Sequence, residues 1–159
     1  FTLSESDAIA EYLNELAPEP AMLPEAIKER AMARALSRFH DTRIEPLLRA
    51  YFGQVIPAKR NADFIAENAA LLQRRFHQLA EIRTPSPLLT GTNLSLADCG
   101  FAPSFATLDC VQDLLGFGLT LPASIIAYRA ALCAHPSIRD EYAAYVKALD
   151  EWAAAKMAG

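Results

Sequence analysis

The stretch from Ser95 to Leu115 limits what this chain can fold into more than any other. It reads as one helix, yet its only charged residues are Asp98, Asp109 and Asp113. A helix apolar around most of its girth must be covered on several sides, so it belongs in the middle of a helical bundle. Its start carries a spacing with a mechanism. Ser95 can cap the first turn by accepting from the Asp98 amide, while the Asp98 carboxylate reaches back to the Ser95 amide. This is a capping box with Asp in place of the usual Glu, and Leu94 just before it is placed to staple onto the first turn. Ser95 and Asp98 read as a folding device, not as catalytic groups.

The remaining sequence supplies the helices that would surround it. The first spans about Ser6 to Leu16 and stops where Pro18 and Pro20 follow. Residues 17–23 form a short Pro-containing linker. The second starts with Pro24 at the first helical position and ends at Gly53. Its apolar residues Ile27, Leu36, Phe39, Ile44, Leu47 and Tyr51 recur at helical spacing, and Pro46 should bend it. The third spans about Asn61 to Arg83, with Phe64, Ile65, Leu72, Phe76 and Leu79 on one face. Residues 84–93, TPSPLLTGTN, are a loop by composition. The Ser95 helix is the fourth. The fifth opens at Pro122 and ends before His135-Pro136. The sixth begins at Ser137, where Ser137 and Asp140 repeat the capping spacing, and runs through Tyr142, Val146, Leu149 and Trp152. Beyond the strand-like Phe1-Thr2-Leu3 no alternating pattern appears. The fold class is therefore all-α, a helical bundle with a fragment of something else in front.

Composition removes several functions. The 159 residues suit one domain of ordinary size, and 52% hydrophobic content is enough to build its core. The net charge of −4 offers no basic field to nucleic acid. That charge is uneven: residues 1–27 hold six acids and no base, residues 28–83 eleven bases and six acids, and residues 84–159 four bases and seven acids. The longest charge-free run, Leu114 to Tyr128, is broken by Gly116, Gly118 and Pro122, too short for a bilayer span of about 18 apolar residues. The opening residues do not read as a secretory signal. Cys99, Cys110 and Cys133 are an odd number without CxxC spacing. On one helix Cys99 and Cys110 would lie about 16 Å apart, beyond the roughly 7 Å that a disulfide allows. They read as reduced, packed thiols of a cytoplasmic protein. His40, His77 and His135 show no metal spacing, so no metal site is expected. No Gly-x-Ser-x-Gly elbow and no Gly-rich phosphate loop are present.

One further segment carries chemistry. In Leu3–Leu13, LSESDAIAEYL, a strand-like residue leads into a helix start. The first-turn amides, helped by the Ser6 hydroxyl, suit a carboxylate, and Glu5 beside them suits an ammonium. Together they fit the head group of an α-amino acid. An acidic, serine-capped helix start without a ligand is the simpler alternative.

The ordered set of motifs resembles the cytosolic glutathione S-transferase family. It runs from LSESDAIAEYL through a Pro-containing linker and an all-α segment to LLTGTNLSLADC (Leu88–Cys99) and YRAALCAHPSI (Tyr128–Ile138). The resemblance covers nearly the whole chain. It implies that residues 1–16 are the last strand and helix of a thioredoxin-like domain, residues 17–23 a linker, and residues 24–159 the family's C-terminal α-helical domain. It implies glutathione as co-substrate, with Glu5 and Ser6 on its γ-glutamyl end, and no metal. A small hydrophobic electrophile would lie between the domains against the helix from Pro24 to Gly53. Arg34, Arg38, Phe39 and Arg43 on that helix are the cleft candidates. The arginines read equally as i,i+4 partners of Glu29, Asp41 and Glu45. The family's thiolate-activating residue would lie upstream of Phe1, so the parent enzyme is expected to transfer glutathione while this chain alone is not. A homodimer is implied, with no nucleic acid and no membrane partner. The alternative is a non-catalytic interaction module of the same fold.

Overall fold

The computed structural model describes residues 1–158. Eight α-helices follow in order: α1 (Ser6–Leu16), α2 (Ile27–Phe39), α3 (Glu45–Ala50), α4 (Ala62–Ile82), α5 (Leu96–Cys99), α6 (Phe101–Leu115), α7 (Ala123–Cys133) and α8 (Arg139–Ala158). A π-helical turn, His40–Ile44, joins α2 to α3, and two short 3-10 turns precede α4. Among the described residues the only β-type pairing is an isolated bridge between Leu88 and Gly91.

The apolar fourth segment lies at the centre, as its composition requires. Phe101, Ala102, Ser104, Phe105, Ala106, Thr107, Leu108 and Val111 of α6 are all buried. It packs against α3, α7 and α8. Phe105 stacks on Phe76 of α4 (ring centroids 6.0 Å apart) and meets Tyr128 of α7 edge-on (5.9 Å). Each large side chain removed from water contributes about 1.5–3 kcal/mol, so these layers hold the bundle together. The Tyr128 hydroxyl is fully buried and lacks a hydrogen bond among the described residues. Burial, followed by the nearby Asp98 charge, keeps it well above the ordinary tyrosine range. At the far end of α6, Gly116 adopts φ 72° and its amide reaches the Gln112 carbonyl at 2.9 Å, a left-handed close that disfavours any Cβ.

Five expectations are corrected. The strand-like start is not formed: Phe1–Ser4 carry no regular structure, and Phe1 is 97% exposed apart from its contact with Tyr12. A strand without a neighbour has no ladder to join. The second segment begins at Ile27, not Pro24, because the Arg30 guanidinium binds the carbonyls of Pro24 and Glu25 and holds that stretch as a loop. Phe64 is 36% exposed while Ile65 is buried, since adjacent helical positions point about 100° apart. The Ser95 helix is interrupted at Gly100, giving α5 and α6. Ser137 and Asp140 form no capping box: the Ser137 amide meets His135 Nδ1 at 3.2 Å, and Asp140 pairs with Arg139.

Just before Pro46 the helix leaves regular α geometry. Proline has no N–H to give and its ring crowds the carbonyl four residues back. The helix widens just before it, and the Glu45 amide bonds the His40 carbonyl five residues away. The π turn carries His40 inward, where it is buried.

Candidate functional site

The loop into α1 and the π turn meet at a cavity of about 600 Å³. Glu5 and Ser6 line one side of it, and Arg38, His40 and Thr42 another. Ser104 of α6, Phe52 and Tyr145 of α8 complete the wall.

Glu5 adopts φ 71° and ψ 115°. A residue with a Cβ rarely enters that region, at a cost on the order of 1–3 kcal/mol. The kink delivers the chain into α1 without a side-chain cap on its first turn. The first amides of a helix have no intrahelical acceptor and carry the positive end of its dipole. Here that end sits next to the cavity, with the exposed Ser6 hydroxyl beside it.

α1 is held to α2 by long-range contacts in place of the expected i,i+4 pairs. Arg34 makes a two-pronged bond to Glu11, at 2.7 Å on each arm. The same contact, a hydrogen bond with added Coulomb attraction, holds the Glu11 carboxyl below its ordinary range. Asp7 accepts from the Ser37 hydroxyl (3.0 Å) and lies 3.5 Å from Arg38. Among the other expected partners, Glu29 pairs with Arg83, the residue after α4, and Glu45 with Arg49.

These contacts sort the cleft candidates. Arg38 lines the cavity. Arg34 does not: it is turned toward α1 and borders a smaller recess with Glu11. Arg43 is exposed and outside the cavity wall. Phe39 packs half-buried against the core instead of the cleft. Tyr51 is fully buried and stacks on Phe117 (4.8 Å), whereas Phe52 does reach the cavity and also contacts Trp152.

Ser95 and Asp98 stand where their spacing places them, and the box is formed. The Asp98 carboxylate is fully buried and accepts from the Ser95 amide (3.0 Å), the Ser95 hydroxyl (2.8 Å) and the Leu89 amide (3.1 Å). It ties the 84–93 loop to the start of α5. Cys99 next to it donates to the Ser95 carbonyl at 3.5 Å, and its thiol is pushed up to about 11, by burial first and the Asp98 charge second. Cys99, Cys110 and Cys133 are all free thiols.

The residue that sequence reasoning missed is His40. It is 4% exposed, with Nδ1 2.8 Å from Asp41 Oδ1 and Nε2 2.7 Å from Ser104 Oγ. Its ring tilts against Phe101 at 4.7 Å. Gly100 makes room for it, since a Cβ there would lie 2.5 Å from His40 Cε1 and Nδ1. Pro46, Gly100 and Ser104 were each visible in the sequence, but nothing in their spacing joined them to His40. Among the described residues no group of three or more His, Cys, Asp or Glu side chains is placed to hold a metal. No helix there is long and apolar enough to cross a membrane.

No protein-family model and no curated protein sequence matches the chain. Solved structures do. A glutathione transferase URE2P5 from Phanerochaete chrysosporium superposes with a TM-score of 0.77 at 21% identity, covering 96% of this chain and 70% of that one. The Omega 3C glutathione transferase of Trametes versicolor gives 0.71 at 21% identity, over 86% of this chain and 60% of that one. A theta class glutathione S-transferase from Xanthomonas axonopodis pv. citri, solved with glutathione bound, gives 0.66 at 23% identity, over 88% and 67%. This chain has the glutathione S-transferase fold, in the form of its C-terminal helical bundle. It spans between 60% and 70% of the length of these three structures.

Proposed function

We propose that the protein is glutathione S-transferase-like and that its reaction is attack by a glutathione thiolate on a small hydrophobic electrophile. One observation carries the reading: the Glu5-Ser6 pair of the motif opens onto the same cavity as Arg38, Phe52 and the inward face of α6. In this reading Glu5 accepts from the α-ammonium of the γ-glutamyl group. The Ser6 hydroxyl and the first-turn amides of α1 hold its α-carboxylate. Fixing both charges orients the tripeptide, and the contribution of Glu5 and Ser6 is that orientation. Lowering the thiol pKa by a hydrogen bond to the thiolate is assigned to a thioredoxin-like part N-terminal to this pair. The electrophile occupies the cavity, with Leu48 and Phe52 against its apolar portion and Arg38 at the edge. A homodimer located in the cytoplasm goes with this reading.

Calorimetric titration of glutathione into the intact protein tests the assignment. A hydrogen bond to a charged group contributes about 1.5–3 kcal/mol, so Glu5→Ala and Ser6→Ala should each weaken binding by about tenfold or more. Unchanged binding in both variants removes the site. No binding by the unaltered protein favours a non-catalytic interaction module.

A further inference from the structure

Three linked side chains at the cavity have no part in the reading above. Asp41, His40 and Ser104 form a hydrogen-bonded chain, 2.8 Å from Asp41 Oδ1 to Nδ1 and 2.7 Å from Nε2 to Ser104 Oγ. In the tautomer that donates from Nδ1 to Asp41, Nε2 accepts from the Ser104 hydroxyl. A hydroxyl in contact with a base, itself oriented by a third group, is the arrangement that activates a nucleophile.

All three residues border the 600 Å³ cavity. Ser104 is 6% and His40 4% exposed, so the pair is shielded from bulk water yet lies against open space. The position is built from three separate directions. Pro46 forces the π turn that carries His40 and Asp41, a type of turn often found at functional sites. Gly100 clears the space for the imidazole. The first turn of α6 then presents Ser104. A simple cross-link between α6 and the π turn would not need all three residues on a cavity wall.

We propose that Ser104, activated by His40 and Asp41, is a nucleophile that gives the cavity an acyl-transfer activity on small esters, independent of glutathione. Ser104 Oγ bonds to the ester carbonyl carbon while its proton passes to His40 Nε2. The bond to the leaving alcohol breaks, and the alcohol takes that proton. Water then attacks the acyl–Ser104 carbonyl, His40 accepts the water's proton and returns it to Oγ, and the carboxylic acid departs. The absence of a Gly-x-Ser-x-Gly elbow does not bear on this, because such sets are defined by geometry and roles.

The test is covalent labelling without glutathione. A small alkyl fluorophosphonate is incubated with the protein; Oγ displaces fluoride at phosphorus, and mass spectrometry locates the adduct. The expected result is an adduct on Ser104 that Ser104→Ala abolishes. Loss of the base or its orienter should slow labelling by about 100-fold or more in His40→Gln and Asp41→Asn. Asp41 is partly exposed, so Asp41→Asn leaves the fold in place, with thermal melting as the check. No adduct on Ser104, or undiminished labelling in Asp41→Asn, overturns the proposal. Glutathione titration of the same samples reports separately on the Glu5-Ser6 site.

Discussion

Replacing Gly100 by alanine should destabilise the protein, against the usual direction for a glycine in helical conformation. Gly100 has φ −73° and ψ −24°, which any residue adopts, and the exchange in a helix ordinarily gains about 1 kcal/mol. Here the new Cβ would sit 2.5 Å from His40 Cε1 and Nδ1. The imidazole has no easy retreat: Asp41 and Ser104 hold its two nitrogens, and Phe101 lies against its ring. Displacing it breaks both hydrogen bonds and leaves buried groups unmet, at about 1–3 kcal/mol for each group. Set against the helix gain, two such groups leave a net loss of about 1–5 kcal/mol. For a chain of this length that is roughly 2–4 °C of melting temperature per kcal/mol. Urea unfolding of Gly100→Ala, His40→Ala and the double variant measures it. With the ring removed, Gly100→Ala should become neutral or stabilising by up to about 1 kcal/mol, giving a coupling of about 1–6 kcal/mol. A stabilised Gly100→Ala protein in the unaltered background would refute the reasoning, because it would mean that His40 is not fixed where the site requires it.

Two further predictions concern the start of α5. Asp98→Ala removes a fully buried carboxylate that accepts three hydrogen bonds, and should cost about 3–5 kcal/mol in urea unfolding; a loss under about 1 kcal/mol would show that the box does not anchor the loop. Cys99, with its thiol at about 11, should alkylate with iodoacetamide at pH 8 about 100-fold more slowly than an unhindered cysteine near 8.5, and the rate should climb as pH approaches 11. The sign of the linked stability effect follows: the fold favours the protonated thiol, so this contribution is complete below about 8.5 and is lost as pH rises through about 11. Fast labelling at pH 8 would contradict the raised thiol pKa.

The helices that could be read were those whose evidence is local. The low charge of 95–115 required a central position, and the Ser95–Asp98 spacing marked its start, because both signals lie within a few turns of one another. The exceptions are equally physical. Arg34 and Arg38 lie among the acids of their own segment, yet their partners Glu11 and Asp7 belong to α1, and periodicity cannot report a contact across elements. The need for a glycine at 100 comes from an imidazole 60 positions earlier in the chain. His40 shows no motif of its own in the sequence, because its meaning comes from Ser104, which only the packing of α6 against the π turn brings near. At the candidate site, Glu5, Ser6 and Arg38 were legible from motif and helix face. The depth of the cavity and the Asp41–His40–Ser104 chain were not.

The central claim is that the start of α1 holds the head group of glutathione over this cavity. A crystal structure of the intact protein with glutathione tests it most directly. The account predicts the α-carboxylate on the Ser6 hydroxyl and first-turn amides, and the α-ammonium within hydrogen-bond distance of Glu5. Glutathione bound elsewhere, with Glu5 and Ser6 untouched, would contradict it.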